Sequence, residues 1–399
     1  MKPRVLVLLR YYLPGYKAGG PLRTVSNLVT QLSDEFDFSV ISFDRDAGDR
    51  QPYKTIIREE WNVVGLANVF YLSPGLGSSF RLIHLIRKSR SDIIYLNSAF
   101  DPLFTFVPLV ALCLGIINQH KIILAPRGEF AQSALTQKKW KKLPYMRSVA
   151  RLLFARVATW QASSQIEAED IRKEVSGARS IFVAPNTSTV VVAPDLHTVS
   201  TPIPAALELV GSEIIRVVFL SRISPVKNLE FALLVLSKCI VPVIFDIYGP
   251  VGDSAYWEKC QALIRDMPSS VQISYRGSIP NEHVSRVLGQ YDLLFLPTRG
   301  ENYGHVIAEA LTVGTSALIA DTTPWRDLEA KGLGWDVALS SPATFVSIIE
   351  GYARTTSEEK ALRRKRVNNN VLAILNDPKI VSANRELFRK VSNLSYLHN

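Results

Sequence analysis

Two carboxylates eight positions apart, Glu301 and Glu309, bracket the segment Asn302-Tyr303-Gly304-His305-Val306. Carboxylates accept hydroxyl protons, so this pair suits a sugar or a ribose. The apolar run 293–296 and the glycines Gly300 and Gly304 predict a strand, a tight loop and a helix beginning near Tyr303. Glu309 then sits about two turns into that helix, whose first N–H groups can hold a phosphate. Glutamates at this spacing also occur on solvated helix faces; the flanking glycines and the preceding strand favour a ligand site. Arg222 and Lys227 follow another apolar run, 217–220. A guanidinium fork beside a compact ammonium can neutralise a diphosphate leaving group without a metal, or can be a surface basic pair. Gly19-Gly20-Pro21 follows the run 5–9. Its side-chain-free backbone can approach a phosphate or sugar, or form a plain loop.

These residues need elements to hold them. Short β-branched or aromatic runs recur at 5–9, 38–43, 69–72, 93–96, 122–125, 158–162 and 181–184, and again at 217–220, 243–248, 272–275, 293–296, 317–320 and 335–339. Amphipathic stretches of helix length separate them. Strands alternating with helices predict parallel sheets covered on both faces, and two series predict two doubly wound α/β domains. The proline-containing stretch 185–211 reads as the linker, dividing residues 1–204 from 205–379. Helices are expected at 358–375 and 382–392, with a break at Asp377-Pro378. In open α/β sheets ligands bind beyond the carboxyl ends of strands. In the second series those positions hold Arg222 to Asn228, Gly249-Pro250, Gly277 to Ile279, Thr298 to Gly304, and Asp321 to Trp325.

Composition narrows the class. The 399 residues are 47% hydrophobic and carry a net charge of +10, which excludes a disordered chain. Three cysteines without a CxxC pair argue against a disulfide framework or a cysteine zinc site, and the six histidines lack ligand spacing, so no metal is expected. The apolar run 5–9 is too short for a signal peptide, so the chain is read as cytoplasmic. Residues 1–200 hold 25 basic and 16 acidic residues, against 21 and 20 in the remainder. The excess centres on 136–160, where Lys138, Lys139, Lys141, Lys142, Arg147, Arg151 and Arg156 mix with Trp140, Tyr145, Leu152, Leu153 and Phe154. That mixture suits an anionic membrane surface, or a solvated helix, and no aromatic-rich RNA motif or helix-turn-helix pattern points to nucleic acid. The uncharged segment 102–119 contains Pro108 and lies between strands, which favours a buried or half-buried helix over a membrane span. Asp44-Arg45-Asp46 imitates a metal-binding DxD but is read as a solvated turn. Gly75-Leu76-Gly77 begins a dinucleotide fingerprint that Phe80 ends.

The run from Pro297 to Leu311 resembles the signature of glycosyltransferase family 4, two glutamates separated by seven residues, in retaining transferases of GT-B fold. Ser221 to Leu229, Gly19-Gly20, and Ile247 to Pro250 with Gly252-Asp253 extend the likeness over nearly the whole chain. The resemblance implies two Rossmann-like domains facing an interdomain cleft, with the last helix (380–399) returning to the N-terminal, acceptor-binding domain. It implies that Arg222 and Lys227 bind the donor diphosphate and that Glu301 meets the donor sugar. Backbone N–H groups from Asn302 to Val306 would support sugar and phosphate, Glu309 the ribose, and Ile279 the base. Gly19, Gly20, Gly249 and Pro250 would line the donor site. The implied reaction moves a sugar from a nucleotide-diphosphate sugar, with no cofactor, to a saccharide acceptor. That acceptor would be lipid-linked, in cell-surface lipopolysaccharide, capsule or exopolysaccharide synthesis, at the cytoplasmic face of the membrane. Many members carry a histidine in an N-domain loop that here reads Pro126-Arg127-Gly128-Glu129-Phe130, and His120 lies before that strand. Arg127 and Glu129 are therefore acceptor-site candidates, or an interdomain ion pair. Pro185-Asn186 keeps two residues of the usual Pro-Asn-Gly. A nucleotide-sugar epimerase of the same fold, or a nonenzymatic membrane adaptor, are the alternatives.

Overall fold

A computed structural model of the chain describes residues 2–117, 121–131, 153–154, 157, 159–175, 177–178, 180–187 and 214–393. It forms two compact units: unit 1 is Met1–Ser188 with Asp377–Asn399, and unit 2 is Thr189–Asn376. Residues 188–213, which take in most of the expected linker 185–211, and most of the basic segment 136–160, with Lys138, Lys139, Lys141 and Lys142, lie outside the described residues, as does His120.

Unit 1 is built on an eight-stranded sheet of order β3-β4-β2-β1-β5-β6-β7-β8. Its strands are β1 (Arg4–Leu8), β2 (Asp37–Phe43), β3 (Trp61–Val64), β4 (Ala67–Leu72), β5 (Ile93–Asn97), β6 (Lys121–Ala125), β7 (Thr159–Ala162) and β8 (Ile181–Val183). All pairings are parallel except β3 on β4. The central strands β1 and β5 are buried almost throughout, as near-continuous apolar runs in a covered parallel sheet must be. The antiparallel β3 was not expected. Gly65, at φ 60°, makes the tight reversal that returns the chain as β4, and the apolar Trp61 and Val63 face solvent, so no residue of this edge strand is fully buried. Of segment 102–119, the described residues 102–117 are half-buried as expected: a π-turn Pro102–Phe106 leads into the helix Val107–Cys113, with Phe104 and Leu109 buried and Leu114 exposed. No helix of the described residues is long and apolar enough to cross a membrane.

Unit 2 has a wholly parallel six-stranded sheet of order β11-β10-β9-β12-β13-β14. Its strands are β9 (Ile215–Leu220), β10 (Val243–Tyr248), β11 (Val271–Gly277), β12 (Leu293–Leu296), β13 (Ser316–Ala320) and β14 (Gly334–Val337). Strand order reverses between β9 and β12, so their carboxyl ends flank the switch point where such sheets open a crevice. Every run read as a strand from sequence falls on a strand.

The chain leaves unit 2 through the helix Ser357–Leu375 and re-enters unit 1 as the helix Pro378–Ser392. That last helix begins four residues before the expected Ser382, because the Asp377 side chain accepts from Lys379 N–H (2.9 Å) and Pro378 suits a first helical position. Leu387, Phe388 and Val391 are buried in the core of unit 1. Phe388 meets the rings of Phe36, Phe38 and Tyr95 at 5.6, 6.1 and 5.3 Å. At the rim Arg385 pairs with Asp34 at 2.6 Å and Arg389 with Glu35 at 2.5 Å, exposed pairs that set orientation more than stability. Phe388→Ala should therefore destabilise unit 1 by about 3–5 kcal/mol. Denaturant unfolding of the purified variant checks this, with Arg389→Ala costing under about 1 kcal/mol as the surface control.

Candidate active site

In unit 2 the loops after β9 and β12 are stitched together by one carbonyl. Val226 O accepts the Arg299 N–H at 2.7 Å and the Thr298 hydroxyl at 3.0 Å. Asn228 then turns the chain with left-handed backbone (φ 59°, ψ 39°) into the helix Leu229–Leu236, a conformation that asparagine tolerates better than most residues. This stitch sets Lys227 beside Glu301, with Nζ 2.5 Å from Oε2. Both side chains are about four-fifths buried, at 20% and 18% exposure. One carboxylate oxygen and two ammonium N–H bonds remain for solvent or a ligand, since neither group has another hydrogen bond among the described residues.

Arg222 is placed by glycine. The end of β10 continues alongside the loop after β9: Ser221 N–H donates to Tyr248 O, Ile223 N–H to Pro250 O, and Gly252 N–H to Ile223 O. Gly249, at φ 136°, lies so close to Ser221 that a Cβ would sit 2.0 Å from its carbonyl oxygen. The Arg222 stem passes over Gly252, where a Cβ would meet Cδ at 2.6 Å. Gly249 also donates to Gly277 O at 2.8 Å, joining the ends of β10 and β11, and the half-buried Ile279 follows that junction and packs on the core of unit 2.

The helix after Glu301 starts at His305, two residues later than expected, because Gly304 occupies the cap with φ 79°. A Cβ there would press on Ile307 at 2.7 Å and on the Glu301 stem at 3.3 Å. Glu309 is consequently little more than one turn into the helix His305–Thr312, not two, and is half-buried. The first turn holds no acid, so the positive end of the helix is left uncompensated by its own residues. The ladder opens with Ile307 and Ala308 donating to Gly304 O, which leaves the Gly304 and Val306 N–H groups without an acceptor in the helix. Asn302 and Tyr303 lie half-buried in the loop. Tyr303 stacks near His305 at 4.7 Å and Trp325 at 6.1 Å, and Trp325 Nε1–H donates to Tyr303 O at 2.7 Å. Trp325 thus fixes the loop between the two glutamates, a job that the isolated Pro-Trp pair does not advertise.

The unit 1 candidates are placed separately. Gly19 (φ 81°) caps the helix Gly20–Leu32 just beyond the carboxyl end of β1. Glu129 accepts from Ser98 Oγ at 2.8 Å and from the Ala99 and Phe100 N–H groups at 2.6 and 3.3 Å. Arg127 donates to Asn97, Asn186 and Tyr95. Both side chains find these partners within unit 1, and they do not pair with each other. The Asp44-Arg45-Asp46 turn is not solvated: Asp44 is fully buried and holds Arg45 at 2.8 Å, Arg58 at 3.0 Å and Ser73 at 2.7 Å. Burial pushes its carboxyl up, but the Arg45 and Ser73 hydrogen bonds outweigh that and hold it below the usual range. Asp46 accepts from Tyr16 and Lys17 N–H and so tethers the loop after β1. Among the described residues no cluster of three or more His, Cys, Asp or Glu could hold a metal.

Comparison with known proteins gives this geometry a family. A model of the family described as "Glycosyl transferases group 1" matches residues 209–368, which span both loops and both glutamates. That match falls wholly within unit 2. The chain is 22% identical over 320 residues to an uncharacterized 41.2 kDa protein in the cps region of Klebsiella pneumoniae, covering 79% of this chain and 81% of the relative. Its fold is similar to that of HepE of Anabaena, crystallised with UDP and glucose (TM-score 0.70, 16% identity, 98% of this chain and 100% of that one). It is also similar to that of WaaG, a glycosyltransferase involved in lipopolysaccharide biosynthesis (TM-score 0.62, 14% identity, 98% and 100%). The fold is GT-B. Gly249→Ala should cost unit 2 about 3 kcal/mol or more, since it adds a carbonyl clash to a strained φ. A lowered melting temperature with Gly48→Ala as the open-space control is the measurement.

Proposed function

We propose that this chain is a glycosyltransferase that moves a sugar from a nucleotide-diphosphate sugar to a saccharide acceptor with retention at the anomeric carbon. The observation that carries the reading is the Lys227–Glu301 pair at the switch point of unit 2, between the Arg222 loop and the helix that starts after Gly304. A diphosphate arriving there meets two cations and an uncompensated helix N-terminus, each of which favours the charge that develops as the sugar leaves. Glu301, with one oxygen open, accepts a hydroxyl of the donor sugar. Backbone groups of Asn302 to Val306 support the sugar and phosphate, Glu309 takes the ribose, and Ile279 lies against the base. Gly249 and Pro250 form the wall beside Arg222.

In the transfer step the bond from the anomeric carbon to the phosphate oxygen breaks while the acceptor oxygen bonds to the same face. The acceptor's proton passes to the departing phosphate oxygen, so the chain need not supply a base. Lys227→Ala should lower kcat by about 100-fold or more, as removal of one charge-stabilising donor does, and turnover within threefold of wild type would overturn the role. UDP, the nucleotide held by the similarly folded HepE, should raise the melting temperature of the wild type, and less that of Lys227→Ala. Mixing donor with and without acceptor separates transfer from epimerisation.

The acceptor is read as a lipid-linked saccharide of a cell-surface glycan, in keeping with the relative from a cps region and with the lipopolysaccharide role of WaaG. The basic and aromatic composition of 136–160 supports an anionic membrane surface as the meeting place, each Lys or Arg adding about 1 kcal/mol at most. The wild type should sediment with anionic vesicles at low salt. Replacing Lys138, Lys139, Lys141 and Lys142 with Glu should release it while activity on a short soluble acceptor persists.

A further inference from the structure

We propose that Arg127 of unit 1 is the receptor for an anionic group, a phosphate or carboxylate, carried by the acceptor; this rests on the transfer reading above. Arg127 lies just past the carboxyl end of β6, half-buried, with left-handed backbone at φ 56° before Gly128 at φ 79°. Such a conformation is costly for a residue with a Cβ, and it persists where the surroundings impose it. Here three buried neutral groups do so. Asn97 Oδ1 accepts from Nε at 3.2 Å and from a terminal nitrogen at 2.8 Å, Asn186 Oδ1 accepts at 2.5 Å, and the Tyr95 hydroxyl accepts as well.

The charge itself goes unanswered. Arg127 has no ion pair among the described residues, although two carboxylates are near in the chain or through its loop. Glu129 is committed to Ser98, Ala99 and Phe100, and Glu167 to Gly128 N–H at 2.5 Å and to Ser163 at 2.7 and 2.6 Å. The Nδ2 of Asn97, buried beside the guanidinium, has no hydrogen-bond partner. A partly buried guanidinium held by neutral acceptors, its acids turned to backbone, has its geometry set in advance for an oxyanion. The hold continues inward. Tyr95 donates to Gln161, whose amide donates to Asn384 at 3.1 Å, and Asn384 donates to Pro185 O at 2.9 Å, next to the Asn186 that takes Arg127. The returning C-terminal helix therefore braces the receptor from below.

The test titrates the full chain, with UDP saturating, against glucose 1-phosphate, glucuronate and glucose by calorimetry. The wild type should bind the anionic probes more tightly than glucose, and the preferred one identifies phosphate or carboxylate as the source. Arg127→Gln should weaken the anionic probes by about 10- to 100-fold, the range of one charge-assisted hydrogen bond, with glucose unaffected and UDP affinity within twofold. Arg127→Lys, which keeps the charge, should retain a weaker preference for anions and guards against loss of fold in the glutamine variant. Unchanged anion affinity in Arg127→Gln, a parallel fall in UDP affinity, a folded Arg127→Lys with no preference for anions, or a wild type indifferent to charge would each overturn the assignment. Anion binding through Arg127 in a chain that does not bind UDP would keep this receptor and defeat the donor reading instead.

Discussion

The carbonyl of Val226 accepts an N–H and a hydroxyl from the opposite loop, and the meeting of Lys227 with Glu301 hangs on that pairing. Thr298, whose hydroxyl is one of the donors, is wholly buried and also donates toward Gly300 O. Breaking the stitch leaves buried polar groups unsatisfied, each costing about 1–3 kcal/mol, so the two loops behave as one rigid body. Lys227 follows the acceptor by one residue and Glu301 follows the two donors by three and two. Their meeting is thus a backbone decision, made before either side chain chooses a rotamer. A parallel sheet whose strand order reverses at β9 and β12 supplies the opening, and the stitch supplies the precision.

Unit 1 solves a different problem with polar groups. Its sheet is apolar almost throughout, yet Tyr95 and Gln161 carry polar atoms through it, and the fully buried Tyr95 hydroxyl is pushed above its ordinary value by burial despite Arg127. Such a chain is stable when every member is bonded, and low dielectric strengthens the bonds that are made. The result is a loop edge at Arg127 tied to a helix whose residues lie more than 250 positions later in sequence.

The strands were legible because buried parallel strands are continuous β-branched runs, and the Glu301–Glu309 spacing was legible because glycines punctuate it. β3 escaped notice because an exposed edge strand such as Trp61–Val64 has no apolar alternation to display. The start of the helix at His305 was misjudged because Gly304 is a cap rather than part of the loop, which φ alone reveals. Asp44 and Asp46 looked solvated since aspartates in a glycine-containing turn usually are; their partners Arg58 and Tyr16 lie 14 and 30 positions away. Likewise nothing local to Tyr95, Gln161 or Asn384 marks them as one network, because hydrogen bonds across strands leave no period in the sequence.

The placement of Phe388 has a consequence for how the chain is made. Unit 2 is, in effect, an insertion within unit 1, since the segment that fills the pocket among Phe36, Phe38 and Tyr95 is translated after the whole of unit 2. During synthesis those rings emerge early and wait without their partner, while unit 2 has all its strands and can close first. At the ribosome the later domain is thereby the earlier to mature, and the first sheet stays an incomplete, sticky surface until the last helix arrives. A message broken shortly before Asp377 would yield a finished unit 2 on an unfinished base, the kind of product that quality control meets as exposed aromatic surface.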